Sequence, residues 1–136
     1  MDVLSNALSI LLNASRSRRA TVFLSAHAGG NSKRVREVLR LLTNEGYLEG
    51  LAPGSVLSKT KQGVVARLKY NARGEPAIRA LFRVSTPGRR VYVGVSALWQ
   101  PPAGVGFLVL STTQGLRSDR DARRFNIGGE VLRGIR

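Results

Sequence analysis

GFLVLSTTQGLRSDRDARRFNIGGE, residues 106–130, decides how this chain is read. Phe107 to Leu110 is apolar at every position, the pattern of a central strand covered on both faces. That run passes straight into Ser111-Thr112-Thr113-Gln114-Gly115, a loop of three hydroxyls, an amide and a glycine. Ser118 stands where it can cap a short helix, and Asp121 falls at the third helical position, the spacing of a capping box. Gly128-Gly129-Glu130 reads as a turn into a closing strand over Val131 to Ile135. The hydroxyls can donate and accept hydrogen bonds, and Gly115 permits a tight turn or a close approach of backbone to a ligand. Ending a strand and capping a helix would use the same residues, so spacing alone leaves ligand contact and capping equally open. Arg117, Arg120, Arg123 and Arg124 surround a helix start whose backbone amides suit an anion.

Working outward, the stretch before this one is also β-like. Ile78, Ala80, Phe82 and Val84 alternate with Arg79, Leu81, Arg83 and Ser85 as a half-buried strand. Thr86-Pro87-Gly88-Arg89 has the composition of a type II turn. Arg90 to Val95 alternates again, with Val91, Val93 and Val95 on the buried side. The first half differs. Leu4, Ala7, Leu8, Leu11 and Ala14 predict an amphipathic helix over 3–14, followed by the basic connection Ser15 to Arg19. A strand is expected over Ala20 to Ala26, then a Gly29-Gly30-Asn31 turn. Ser32 is a plausible cap for a second helix that buries Val35, Val38, Leu39 and Leu42 and stops at Gly46. Two further strands, Tyr47 to Leu51 and Val64 to Tyr70, flank a polar loop. The expected fold class is α+β: a small α/β domain over 1–73 packed against a mainly β domain over 74–136, with NARGEP (71–76) as the boundary.

Composition narrows the partners. Eighteen arginines and four lysines against eight acids give a net charge of +14 over 136 residues. The charge is spread evenly, +7 up to Glu75 and +7 beyond it. A charge of this size repels itself in a compact body, and polyanions relieve it. Guanidinium groups fork onto phosphate and stack on bases, which favours RNA, although a GC-rich genome would also enrich arginine. Lys33, Arg34, Arg36 and Arg40 on the second helix read equally well as a solvated face or, with the SRSRR run, as a phosphate-facing surface. The absence of cysteine excludes disulfides, zinc-finger ligation and thiol catalysis. His27 is the one histidine and cannot build a His-rich metal site, so no metal or cofactor is expected. No apolar run approaches the ~20 residues of a membrane-spanning helix. Trp99, with Tyr92, could stack on bases, but a tryptophan beside two prolines reads better as a packed loop anchor. Glu130 reads first as a surface charge beside a glycine turn, and second as a carboxylate that accepts from a base amino group or holds an arginine.

Several stretches carry a resemblance: RVSTPGRRVYVG at 83–94, GVGFLVLSTTQGLRSDRDARR at 104–124 and GGEVL at 128–132, with fainter matches in NALSILLNA and in SKRVREVLRLLTNEGYLEG at 32–50. Together they resemble the family of small-subunit ribosomal protein number eight, of the bacterial and organellar type, over nearly the whole chain. The resemblance implies the two-domain α+β fold, no enzymatic activity, and binding to the central domain of small-subunit rRNA beside other small-subunit proteins, with no homo-oligomer. It assigns rRNA recognition to Ser111, Thr112, Thr113, Gln114 and Glu130, next to Gly115. The cations expected to hold the RNA are Arg117, Arg120, Arg123, Arg124, Arg89, Arg90, Lys33, Arg34, Arg16 and Arg18. Thr113 stands where bacterial members usually have serine, so the hydroxyl survives and gains a methyl. The C-terminus Gly134-Ile135-Arg136 lacks the family's usual aromatic or apolar end, and the loop Gln100 to Gly104 lacks its usual basic residue. The alternative is a translational repressor that binds mRNA with the same surface. A hydrolase using Ser111 or Thr112 with His27 as base has no acidic dyad or metal cluster behind it. Val3 to Arg36 contains no acid and is rich in Ser and Arg, as mitochondrial targeting segments are. A basic rRNA-facing surface reads the same way, and the family-like region begins almost at Met1. With the divergent first half and altered C-terminus, this places the expected ribosome in the mitochondrial matrix ahead of a plastid or bacterial cytoplasm.

Overall fold

The computed structural model describes residues 3–25, 32–53, 63–86, 88–94 and 106–136. The expectations for His27, the Gly29-Gly30-Asn31 turn, the 54–62 loop, Val95 and Trp99 lie outside them. Contacts group the chain into two compact units, Met1–Arg79 and Ala80–Arg136.

The first unit contains α1 (Val3–Arg16), β1 (Thr21–Ser25), α2 (Lys33–Asn44), β2 (Leu48–Pro53) and β3 (Gly63–Leu68). The three strands form an antiparallel sheet in the order β1-β3-β2. Leu4, Ala7, Leu8, Leu11 and Ala14 are buried along α1, and Val35, Val38, Leu39 and Leu42 along α2, as the 3.6-residue period requires. Val64, Ala66 and Leu68 supply the buried side of β3. Ser32 caps α2, its hydroxyl accepting from the Val35 amide at 3.4 Å. Both helices end in Schellman motifs. At α2, Tyr47 N–H bonds to Leu42 C=O and Gly46 N–H to Thr43 C=O, with Gly46 at φ 85°. At α1 the same two bonds run from Arg19 to Ala14 and from Arg18 to Ser15, and a non-glycine residue, Arg18 (φ 57°), takes the left-handed position. The NARGEP stretch is a closed loop rather than an open linker. Asn71 Oδ1 accepts from the amides of Arg73 and Glu75, and Tyr70 pairs with Pro76 across it.

The second unit contains β4 (Leu81–Arg83), β5 (Tyr92–Val93), β6 (Phe107–Thr112), β7 (Gly115–Ser118), α3 (Asp119–Arg124) and β8 (Gly129–Ile135). Its sheet runs β4-β8-β6-β7, and β5 also pairs with β8. Leu108, Leu110 and Val131 form a core with Ala122 of α3, flanked by Val84 and Val93. α3 ends in a third Schellman motif, with Asn126 at φ 58° and Ile127 N–H bonded to Ala122 C=O at 2.9 Å.

Three sequence expectations change here. The strand expected over Ile78–Ser85 shortens to β4, and Phe82 lies exposed rather than on the buried side. Its partner residue is Gly134, which offers no side chain to cover the ring. Ser85, expected on the polar side, is buried: its hydroxyl accepts from the Val91 amide at 2.9 Å and donates to the Val131 carbonyl. Gly128 and Gly129 do not serve as a turn. Neither has a left-handed φ, but a Cβ on Gly129 would stand 2.3 Å from the Ser111 carbonyl oxygen, and one on Gly128 2.5 Å from that of Val93. The pair lets the start of β8 slide between β5 and β6. Thr86 and Arg89 close a hairpin through paired backbone bonds of 2.8 and 3.0 Å, while Pro87, on which the turn type depends, lies outside the described residues.

Candidate nucleic-acid interface

The polar loop of the sequence reading divides into three parts. Ser111 and Thr112 end β6, Thr113 and Gln114 make the turn, and Gly115 opens β7, a strand the sequence did not announce. The positive φ the turn needs falls on Gly115 (97°), so β-branched Thr113 occupies the turn without left-handed strain. The Thr112 hydroxyl is committed to this turn: it donates to Gly115 C=O at 2.7 Å and accepts from Gln114 N–H at 3.1 Å. Thr113 and Gln114 are exposed at the tip.

Register aligns the other residues expected to meet RNA. Ser111 lies opposite Leu116 on one side and Glu130 on the other, and Glu130 lies opposite Tyr92. Directly opposed residues share a face of the sheet, so Tyr92, Glu130 and Ser111 stand in one row on the face away from α3. Tyr92 is 67% exposed. The Glu130 side chain is 13% exposed and held by Arg90, whose Nη1 lies 3.5 Å from Glu130 Oε1 and whose side chain is 60% exposed. Glu130 is thus a mostly buried carboxylate paired with Arg90 rather than an open surface charge.

The arginines of the opening stretch do different jobs. Asp119, only 2% exposed, accepts from the Leu108 amide at 3.0 Å and from Arg123 Nη2 at 3.2 Å. β7 pairs with β6 no further than Val109, and the Asp119 carboxylate takes the next amide. Arg123 is therefore tied to the scaffold, contrary to a purely phosphate-holding role. Arg117 is half-buried, and its Nε and the Nη1 of Arg123 are buried without a hydrogen-bond partner. Arg89, Arg90, Arg120 and Arg124 are exposed. Ser118 caps α3 as expected, accepting from Asp121 N–H at 3.2 Å.

Arg16, Arg18, Lys33 and Arg34 belong to the first unit. Arg18 lies over the NARGEP loop, with Nη1 3.7 Å from where a Gly74 Cβ would stand. It also lowers the pKa of Tyr70, a smaller effect than the burial that raises it. The Tyr70 hydroxyl donates to Arg19 C=O. Lys33 and Arg34 occupy the first turn of α2, which has no acid in that turn and no base in its last. Helix dipoles disfavour that arrangement, so these cations are not there for the helix. Among the described residues no group of three or more His, Asp or Glu could hold a metal.

Three residues with roles escaped the sequence reading. Sequence offers Tyr92 only as a companion of Trp99, whereas pairing with Glu130 gives it its place. Asp119 looked like one more charge in an alternating Arg/Asp run. Arg133 is buried in β8 opposite Arg83, and its Nη1 donates to Leu132 C=O at 3.0 Å; an arginine in a closing strand carries no signal of burial.

Comparison with known proteins gives one consistent result. The family model described as ribosomal protein S8 matches residues 2–135. The chain is 43% identical over 131 residues to small ribosomal subunit protein uS8 of Granulibacter bethesdensis, covering 96% of this chain and 94% of that one. It is 39% identical over 132 residues to the uS8 of Salinibacter ruber, covering 96% and 93%. To the uS8 of Crocosphaera subtropica it is 38% identical over 132 residues, covering 96% and 94%.

Proposed function

Since the chain belongs to the ribosomal protein S8 family, a structural and non-enzymatic component of the small ribosomal subunit, we propose that it works there by binding small-subunit rRNA through the β5–β8–β6 row. The observation that carries this reading is the juxtaposition of Tyr92, Glu130 and Ser111 on adjacent strands. A hydroxyl that donates and accepts, a fixed carboxylate acceptor and an exposed ring together match a ribose edge, a base amino group and a base face. Thr113 and Gln114 extend the row at the hairpin tip. Thr112 serves the turn and reaches RNA at most with its methyl group and remaining lone pair.

Arg89, Arg120 and Arg124 act as phosphate contacts of the second unit, and Arg16, Lys33 and Arg34 as those of the first. The relatives compared are bacterial and lend a mitochondrial address no support; a bacterial-type subunit is the better reading.

The test is binding to the rRNA central-domain helix and to an unrelated duplex across a salt series. Ser111→Ala and Glu130→Gln should weaken the cognate helix at least about tenfold, roughly 1–3 kcal/mol per discriminating contact, and spare the unrelated duplex. Arg124→Ala should weaken both and shallow the logarithmic salt slope by about 0.9. Uniform losses on both RNAs from all three changes would refute the division of roles.

A further inference from the structure

The three-stranded sheet of the first unit has a second face, and the functional reading above makes no use of it. Leu24, Val64, Ala66 and Leu68 take the buried side of β1 and β3. The intervening positions line up across the sheet on the opposite side: Thr21 with Arg67 and Gly50, then Phe23 with Val65 and Ala52. In a sheet packed on one side, this face should be polar and aliphatic-poor. Instead an aromatic ring stands on it, on the edge strand β1, with Phe23 42% exposed.

The ring is also held in place. A Cβ on Gly63 would meet the Phe23 ring at 3.0 and 3.1 Å, so the ring lies on the bare backbone of Gly63 and keeps its other side open. The Arg67 guanidinium lies across Gly50 in the adjoining row, where a Cβ would come within 2.9 Å of Nη2. Arg67 and Lys69 are both exposed, and β1, β2 and β3 contain one acid, Glu49, at the β2 bulge. An open aromatic braced from below on β1, with the Arg67 guanidinium lying across Gly50 of β2 and the Lys69 amine near Gly46, is an arrangement on which an unpaired base can stack while the phosphates follow the charges.

We infer that the outer face of the β1-β3-β2 sheet is a second RNA surface, taking a single-stranded segment whose base stacks on Phe23 and whose backbone is held by Arg67 and Lys69. This surface is separate from the Ser111–Glu130 row and does not depend on it. Single strands rather than duplex are indicated because a flat face with one open ring reads an unstacked base, which a duplex does not present. Charge complementarity favours RNA over a neighbouring protein as occupant.

The experiment uses the full chain and a fluorescent twelve-nucleotide oligouridylate, with binding followed by anisotropy from moderate to high salt. Phe23→Leu keeps the apolar bulk and the strand but removes the aromatic face; affinity should fall about five-fold or more, the loss expected for one stacked base. Phe23→Tyr should keep affinity near that of the parent, and Arg67→Ala should shallow the salt slope by about 0.7. Phe23→Leu should leave binding of the rRNA central-domain helix unchanged, so failure of the rRNA-helix reading would not be mistaken for failure of this one. Equal binding by the parent and Phe23→Leu would overturn the proposal, as it would if the face serves a protein partner. So would equal losses in the leucine and tyrosine variants.

Discussion

Asp119→Ala is the sharpest test of how the second unit is held together. The carboxylate is buried, and it satisfies a buried amide on a central strand, that of Leu108, at 3.0 Å. Removing it strands that N–H in the core, where an unsatisfied donor costs about 1–3 kcal/mol. The bond to Arg123 at 3.2 Å goes too. The Arg123 side chain is one-third exposed, so water recovers part of that loss, and this half contributes less than the roughly 1.5–3 kcal/mol of a buried charged hydrogen bond. The total is about 2–4 kcal/mol, a large share of the stability of a small domain. Urea denaturation followed by far-ultraviolet circular dichroism should place the midpoint lower by about 1–2 M, taking a slope of roughly 2 kcal/mol per molar. Asp119→Asn keeps an acceptor for Leu108 and should cost about half as much. A loss under about 1 kcal/mol in the alanine variant, or identical losses in the two variants, would refute the claim that Asp119 completes the β6 hydrogen-bond ladder.

Three further outcomes follow from the geometry. Gly129→Ala drives a Cβ to 2.3 Å from the Ser111 carbonyl; it should cost more than about 2 kcal/mol in the same urea assay and abolish discrimination between RNAs by parting Ser111 from Glu130. Ser85→Ala leaves the half-buried Val91 amide without its acceptor and should cost about 1–2 kcal/mol while the salt slope of RNA binding stays unchanged. Tyr70 has a pKa raised by burial, so its neutral form is favoured by folding; stability is fully present below about pH 10 and is lost as pH rises through the higher folded value. Thermal unfolding between pH 9 and 11 should show this loss in the parent and a smaller one in Tyr70→Phe.

The helices were legible because their burial repeats every 3.6 residues and Ser32 and Gly46 mark the ends of α2. Phe107 to Leu110 was legible as a central strand because all four residues are apolar. β7 was not. Gly115–Ser118 is four residues long with one large apolar side chain, Leu116, and a glycine at its start, so nothing distinguishes it locally from loop. The outward turn of Phe82 and the burial of Arg133 depend on which strand lies alongside, and that is a property of pairing rather than of composition. Within the candidate site, the hydroxyl cluster and Glu130 could be named in advance. Their convergence could not, since the row joins positions 92, 111 and 130 through register alone. Arg123 is the reverse case: its spacing placed it among the surface cations, and a buried aspartate four residues earlier claims it.

The hairpin tip has a consequence of a different kind. Thr112 and Gly115 satisfy the turn between them, so the identities of Thr113 and Gln114 carry little of the fold's stability. A ribosomal RNA that drifts in sequence presents its proteins with a moving target, and a contact residue that is also structural cannot follow it. Thr113 and Gln114 can. On the function proposed above, a serine, a threonine or a longer polar side chain at position 113 is a choice about the RNA, open to change in one step, while the frame that aims it stays fixed by the Thr112 hydroxyl and the pairing of β6 with β7.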